Sequence, residues 1–420
     1  WGIFANRKSQ PDYSSEPQFA ILPRIVFDAE NDSENEDTQQ DDTHNSDHDN
    51  SENNNESEEN SDDSENNSDN DNENLEAIDC LSDVEAGTWY EIPSSNLSTV
   101  LPEETPYNWS GPASIMNAWS GGTYDSDNGK LIVWGGGHTD YAGNEIYTFD
   151  TNTMQWERPW GPTPNSQIPD DASYGIEEYL DGNPSSRHTY GGLVYLPSPY
   201  NSLWSQGGSR WKNGWGTDAT WQFDFTNNQW KRSSDAPDSG LGVVAVYDPI
   251  SKNVFSRSLN YINEYDPEAD QWSQPYYEGW GWYTDDTNAA IAPEKRVIVY
   301  VGGGETENLT MFGVYDIDSN QYYDPGFSGD IEILDGTAPG IAYHPPSDTM
   351  IAWDGGTDLY QLDMDSWEWT KIESTNSTEV TPGDANSRGT YGRFQYVPEH
   401  DVFIVVNSID ANVFAFKLPE

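Results

Sequence analysis

Ser186 to Pro197 reads SRHTYGGLVYLP, and Ser387 to Pro398 reads SRGTYGRFQYVP. The copies share an arginine and a tyrosine (Arg187 and Tyr190, Arg388 and Tyr391) and differ where His188 becomes Gly389. An imidazole beside a phenol is equipment for proton transfer, since His exchanges a proton near neutral pH and Tyr holds one to high pH. A guanidinium fork matches carboxylate or sulfate. His138 follows a run of three glycines, and Arg210 follows a second glycine pair. These residue types suit acid–base chemistry on an anionic substrate, or recognition of one. His188, His138 and Tyr190 are the candidate catalytic residues. Arg187, Arg388, Arg210, Tyr391, Tyr141, Trp211 and Trp215 are the candidate substrate contacts. The Arg-x-Thr-Tyr string has a second reading as a repeated folding device, in which Arg pairs with an acidic group of a neighbouring unit and Tyr packs between units. The sequence leaves both open.

The elements that would position these groups repeat along the chain. FDTNTMQW (149–156), FDFTNNQW (223–230), YDPEADQW (265–272), YDIDSNQY (315–322) and LDMDSWEW (362–369) each set an Asp after an apolar or aromatic residue and end on Trp or Tyr. The pattern predicts a strand, a turn opened by Asp, and an outer strand begun by a large aromatic that packs between sheets. Upstream, LIVWGGG, SLWSQGG, VIVYVGGG and MIAWDGG end in glycines, and tight turns such as PSPYNS and PPSD separate them from a preceding strand. The spacing suits four-stranded blades with loop insertions.

The glycine pairs, with Tyr147/Trp156, Trp221/Trp230 and Tyr360/Trp369, resemble the Kelch repeat over roughly residues 112–417. The resemblance implies an all-β, six-bladed β-propeller. The sixth unit, from RGTYGRFQYVP, stops before its outer strand, and TWYEIP (88–93) is expected to supply it and close the ring. The domain expectation is an N-terminal extension with a short strand over 1–27, a disordered acidic linker over 28–84 and the propeller over 85–420.

Strand alternation sorts the loops. The turns after each innermost strand are short, whereas the insertions before innermost strands and after second strands are long. They include 95–111, 138–145, 157–186, 209–219 and 304–310. The elaborated face is where a site is expected. It carries Arg187, His188, His138, Arg210 and Arg388, and Trp109, Trp160, Trp280 and Trp282 add surfaces for stacking sugar rings. His344, in the YHPPSD turn, falls on the other face and reads as structural.

The chain has 74 Asp and Glu against 18 Lys and Arg, a formal net charge of −56. Between Asp28 and Asp79, 22 residues are acidic and none is Lys or Arg, with almost nothing to bury, which predicts an extended spacer. Such charge argues against a nucleic-acid partner and suits Ca²⁺ or high salt, although no cofactor is expected. One cysteine, Cys80, excludes an internal disulfide or a Cys₄ zinc site, and no metal centre is expected. No apolar run reaches 18 residues, so no membrane span is expected. The expected setting is extracellular or periplasmic, including the cell surface.

Three functions follow as expectations. The first is a propeller that binds a carbohydrate, specifically an anionic polysaccharide. The second is a polysaccharide lyase, on a resemblance in fold and residue types to β-propeller ulvan lyases, in which His or Tyr is base and acid while Arg neutralises a uronate. The third is a protein-interaction scaffold, the usual role of Kelch arrays. The cysteine-dependent radical site of galactose oxidase does not fit, because Cys80 lies outside the repeats. The sialidase Ser-x-Asp-x-Gly-x-Thr-Trp box is absent.

Overall fold

The computed structural model describes residues 78–169, 175–212, 214–238, 240–258, 261–277, 285–303, 311–375 and 380–420. The expectations for 1–27, for most of the acidic spacer, for Trp280 and Trp282 and for 304–310 lie outside these residues. Six antiparallel sheets make a six-bladed β-propeller, and the longest α-helix among the described residues is the single turn Ser114–Asn117.

The innermost strands are Gly122–Asp125, Leu193–Leu196, Val244–Tyr247, Thr287–Ala292, Gly340–His344 and Phe394–Val397. Each packs beside the next, and the sixth packs beside the first. The sixth sheet takes its outermost strand from Trp89–Glu91, which pairs antiparallel with Phe414–Phe416. Blade five gains a strand that the sequence pattern did not suggest: Ser328–Gly329 runs parallel to its outer strand. The compact region also begins earlier than expected. Leu81 and Val84 are buried with Ile92 and Leu97, so residues 78–84 belong to the propeller and not to the linker, because apolar side chains there have a core to enter.

The repeated Asp acts as its position suggested. The Oδ1 of Asp150 accepts from the backbone N–H of Asn152 and Thr153. Asp224 does the same for Thr226 and Asn227, and Asp363 for Asp365 and Ser366. Each such turn satisfies backbone donors locally and pins the register of the two outer strands. The Trp beside the glycines then packs on the outer aromatic of the following blade. Trp134 lies 4.9 Å from Trp230, Trp204 6.0 Å from Trp272, and Trp353 6.4 Å from Trp89. Aromatic contacts of this kind add about 0.5–1.5 kcal/mol each beyond area burial.

The mouth of the channel at the short turns is ringed by Ser126, Pro197, Pro249, Pro293, Pro345 and Pro398 around a cavity of about 470 Å³. Counting seven residues back from each gives Trp119, Tyr190, Gly242, Asp286, Ala338 and Tyr391 at the other end of the innermost strands. Trp119, Tyr190, Ala338 and Tyr391 have φ of 47°, 50°, 43° and 49° and form one apolar cluster. The left-handed backbone costs a non-glycine residue roughly 1–2 kcal/mol. Cross-blade bonds hold it: Tyr190 N–H donates to the Trp119 carbonyl (2.7 Å) and Tyr391 N–H to the Ala338 carbonyl (3.0 Å). The two tyrosine rings meet edge-to-face at 6.1 Å. The repeated Thr-Tyr-Gly therefore builds an aromatic plug across the channel.

The same geometry explains why His188 has no counterpart at Gly389. His188 lies in an extended two-residue ladder with Ser209, whereas Gly389 has φ +95°, and a Cβ there would lie 2.5 Å from the Tyr391 ring and 2.9 Å from the Ala338 Cβ. Gly389→Ala is expected to cost about 2 kcal/mol of stability. Denaturant unfolding checks this, and an unchanged midpoint would contradict it.

Candidate functional site

Above the plug, on the loop-rich face, an open cavity of about 590 Å³ is bounded by His138, His188, Tyr190, Trp119, Trp215 and the Asp285–Asp286 pair. Three routes bring these groups together. His138 sits at φ 60° after the glycine run of blade one. His188 comes from the ladder Arg187–His188 with Ser209–Arg210. Asp285 and Asp286 immediately precede the innermost strand of blade four.

His188 is buried, and its Nε2 lies 2.9 Å from Asp140 Oδ2. The ring stacks at a tilt on Trp119 (5.0 Å) and on His138 (5.4 Å). With Nε2–H donating to Asp140, Nδ1 carries the lone pair. Burial lowers the pKa of His188, and Asp140 only partly restores it. Burial also lowers that of His138. Both rings are therefore neutral, and able to accept a proton, at neutral pH. Burial pulls Asp140 upward, but the hydrogen bond from His188 and the charge of Arg388 hold it below the usual carboxylate range. Burial pushes the Tyr190 phenol up, so it keeps its proton. Burial, and then the charge of Asp286, raise Asp285 to about 6.

Arg388 is exposed, with its guanidinium 4.4 Å above the Trp119 ring. No salt bridge or hydrogen bond of that guanidinium occurs among the described residues, and the Trp119 ring on which it rests lines the cavity. Trp215 is 76% exposed and Trp109 85% exposed. A second cavity of about 810 Å³ adjoins the first, sharing Trp119 and Asp286 and lined further by Asp335, Asp354, Asp384 and Asn386. Burial alone raises Asp354 to about 7.

Several candidate contacts do not reach this space. Arg187 is fully buried, 2.8 Å from Glu177 Oε1 and 5.7 Å from the centre of the Trp134 ring. Arg210 lies 3.6 Å from Glu177 Oε2 and donates to the Trp215 carbonyl, which props the Trp215 loop. Tyr141 is buried and donates to Glu145 (2.6 Å). Trp211 is buried beside Ala142, Ile168 and Tyr179. Tyr391 is buried in the plug and donates to the Asp285 carbonyl. In this arrangement a substrate cannot touch these four buried residues, so Arg187 and Tyr391 follow the folding-device reading. His344 bonds Ser347 in its own turn and Asp401 in the corresponding turn of blade six. Trp160 is half-buried against Phe223.

Sequence reasoning missed Trp119, Asp140, Asp285 and Asp286. Their signal was positional: Trp119 and Asp286 stand where Tyr190 and Tyr391 stand in other blades, and Asp140 is two residues after His138. Among the described residues no group of three or more His, Cys, Asp or Glu is arranged to hold a metal ion, and no helix is long and apolar enough to cross a membrane. No family model and no curated protein matches the chain.

Proposed function

We propose that the loop-rich face binds a uronate-bearing polysaccharide and cleaves it by β-elimination in the His138–His188 cavity. One observation carries the reading: a neutral histidine, oriented by a carboxylate 2.9 Å away, beside a second neutral histidine in an open cavity walled by tryptophan. Convergence of titratable groups with shifted pKa values in a cleft supports chemistry over passive binding. Trp215 and Trp119 offer ring-stacking faces. Arg388, which has no ion pair among the described residues, can neutralise the uronate carboxylate and so acidify its C5 proton. The imidazole pair takes that proton, and Tyr190 floors the site. The adjoining cavity gives room for a chain rather than a single sugar. The repeats are read as Kelch-type, and an extracellular setting follows from a polymeric substrate.

The test is incubation with a panel of acidic polysaccharides, read by the ultraviolet absorbance of the unsaturated uronate. Product from one of them supports the proposal. Binding without product leaves a carbohydrate-binding propeller, and neither binding nor product sinks both readings. Trp215→Ala is expected to weaken binding about tenfold, equivalent to ~1.4 kcal/mol. Calorimetry checks this, and unchanged affinity would remove Trp215 from the site.

A further inference from the structure

The six equivalent positions at the top of the channel are not uniform. Four carry the plug residues, but blade three has Gly242 and blade four has Asp286. Gly242 leaves room that Asp285 fills: a Cβ on Gly242 would lie 2.2 Å from Asp285 Oδ1 and 2.5 Å from its Cα. An aromatic floor is thus notched on one side to admit two adjacent carboxylates. Leaving carboxylates half-buried without a cation is unfavourable. Neither forms an ion pair among the described residues, so stability does not explain them. Their outlet is the cavity that also holds His188.

We propose that Asp285, seated against Gly242 in this notch, is the acid that protonates the departing glycosidic oxygen. The proposal rests on the elimination reading above. An imidazole of the His138–His188 pair takes the C5 proton, and the C5–H electron pair becomes the C4=C5 double bond. The C4–O bond breaks, and the Asp285 carboxyl proton goes to the departing oxygen. The proton on the imidazole then returns to Asp285 through solvent.

The groups that face Asp285 are the Gly242 N–H, which lowers its pKa slightly, and Asp286, which raises it. Tyr190 and Tyr391, both protonated, pack alongside. The neutral His138 and His188 line the same cavity, and the charges of Asp140 and Arg388 act on it through His188. Asp285 titrates at about 6, so it is a stronger acid than Tyr190 yet still protonated in mild acid. The rate should therefore peak on the acid side of neutrality, with an alkaline limb set by loss of the Asp285 proton.

The experiment compares wild type with Asp285→Asn on a cleaved polysaccharide and on a uronate whose departing oxygen belongs to a nitrophenol, which needs no proton. Expected for Asp285→Asn on the polysaccharide are a fall in kcat of about 100-fold, little change in KM and loss of the alkaline limb. The nitrophenyl substrate should lose little. Gly242→Ala, whose Cβ would press on the Asp285 Cα and N as well as its carboxyl, should reproduce the loss together with a lowered melting temperature. A wild-type rate and limb in Asp285→Asn overturns the assignment and leaves the elimination reading intact. An equal loss on both substrates also overturns it, because the residue then only positions other groups. Absence of unsaturated product from wild type on every polysaccharide overturns the elimination reading and, with it, this one.

Discussion

His188→Ala is expected to lower kcat on a cleaved polysaccharide about a thousandfold while the protein stays folded, because general-base catalysis by a positioned imidazole contributes about 10²–10⁴-fold. His188 is the better oriented of the two histidines. Asp140 holds its Nε2 at 2.9 Å, and Trp119 covers its ring face at 5.0 Å. Asp140→Asn should lower kcat less, since the ring survives but its tautomer is no longer enforced. KM should hardly move in either variant, because the sugar-stacking faces and Arg388 remain. The acid limb of the rate profile should reflect protonation of an imidazole whose pKa burial has lowered, so base function persists to a lower pH than a free histidine would allow. A stopped assay across pH, with circular dichroism as the folding control, decides the matter. A His188→Ala enzyme within threefold of wild type would remove His188 from the chemistry and shift attention to His138.

The largest stability effect is expected at Glu177. Its carboxylate accepts from Arg187 (2.8 Å), from Thr217 Oγ1 (2.6 Å) and from Trp221 Nε1 (2.9 Å). Arg187 has no solvent exposure, so removing Glu177 strands a buried charge. Glu177→Ala should cost about 3–5 kcal/mol. Burial alone would raise the Glu177 pKa, but the Arg187 charge and the three donors outweigh it and set it at about 2, below the ordinary 4.5. A depressed carboxyl pKa contributes stability that is complete above about 4.5 and is lost as pH falls through about 2, a total near 3 kcal/mol. Wild type should therefore lose stability across this acid window, and Glu177→Gln should show a flatter profile there. Denaturant unfolding at several pH values provides the check, with exposed Arg388→Ala as a control expected to change stability by under about 0.5 kcal/mol. Equal midpoints for wild type and Glu177→Ala would show that the pair stabilises nothing.

Both predictions turn on residues that the sequence treated unequally. His188 stood out because a repeat supplied its comparison, Gly389. Glu177 did not, because it lies in the 157–186 insertion, which has no counterpart in other blades. The place of Arg187 at a strand entrance leaves two readings open in the sequence, an anion ligand and a folding device, and the structure has it at that entrance. What failed was the inference of exposure, since the insertion folds back and supplies Glu177 to the buried guanidinium. Trp211 and Tyr141 failed for the same reason: loop position does not report burial once loops pack on one another. Trp215, in the same loop as Trp211, is exposed because Arg210 and Gly214 hold its backbone at the rim.

The sequence by itself determined the six-bladed array. Its signals are local: an Asp bonding its own turn, glycines ending a strand, an aromatic opening the next. Each acts within a few residues, and repetition multiplies them. The tertiary structure decided which chemistry shares a cavity. His138, His188, Asp285 and Arg388 lie up to 250 residues apart in the chain, and they converge only because a closed ring brings every innermost strand end to one axis. It also decided that Tyr190 and Tyr391 close the channel as a plug, since a left-handed backbone at those positions is sustained by hydrogen bonds from the neighbouring blade.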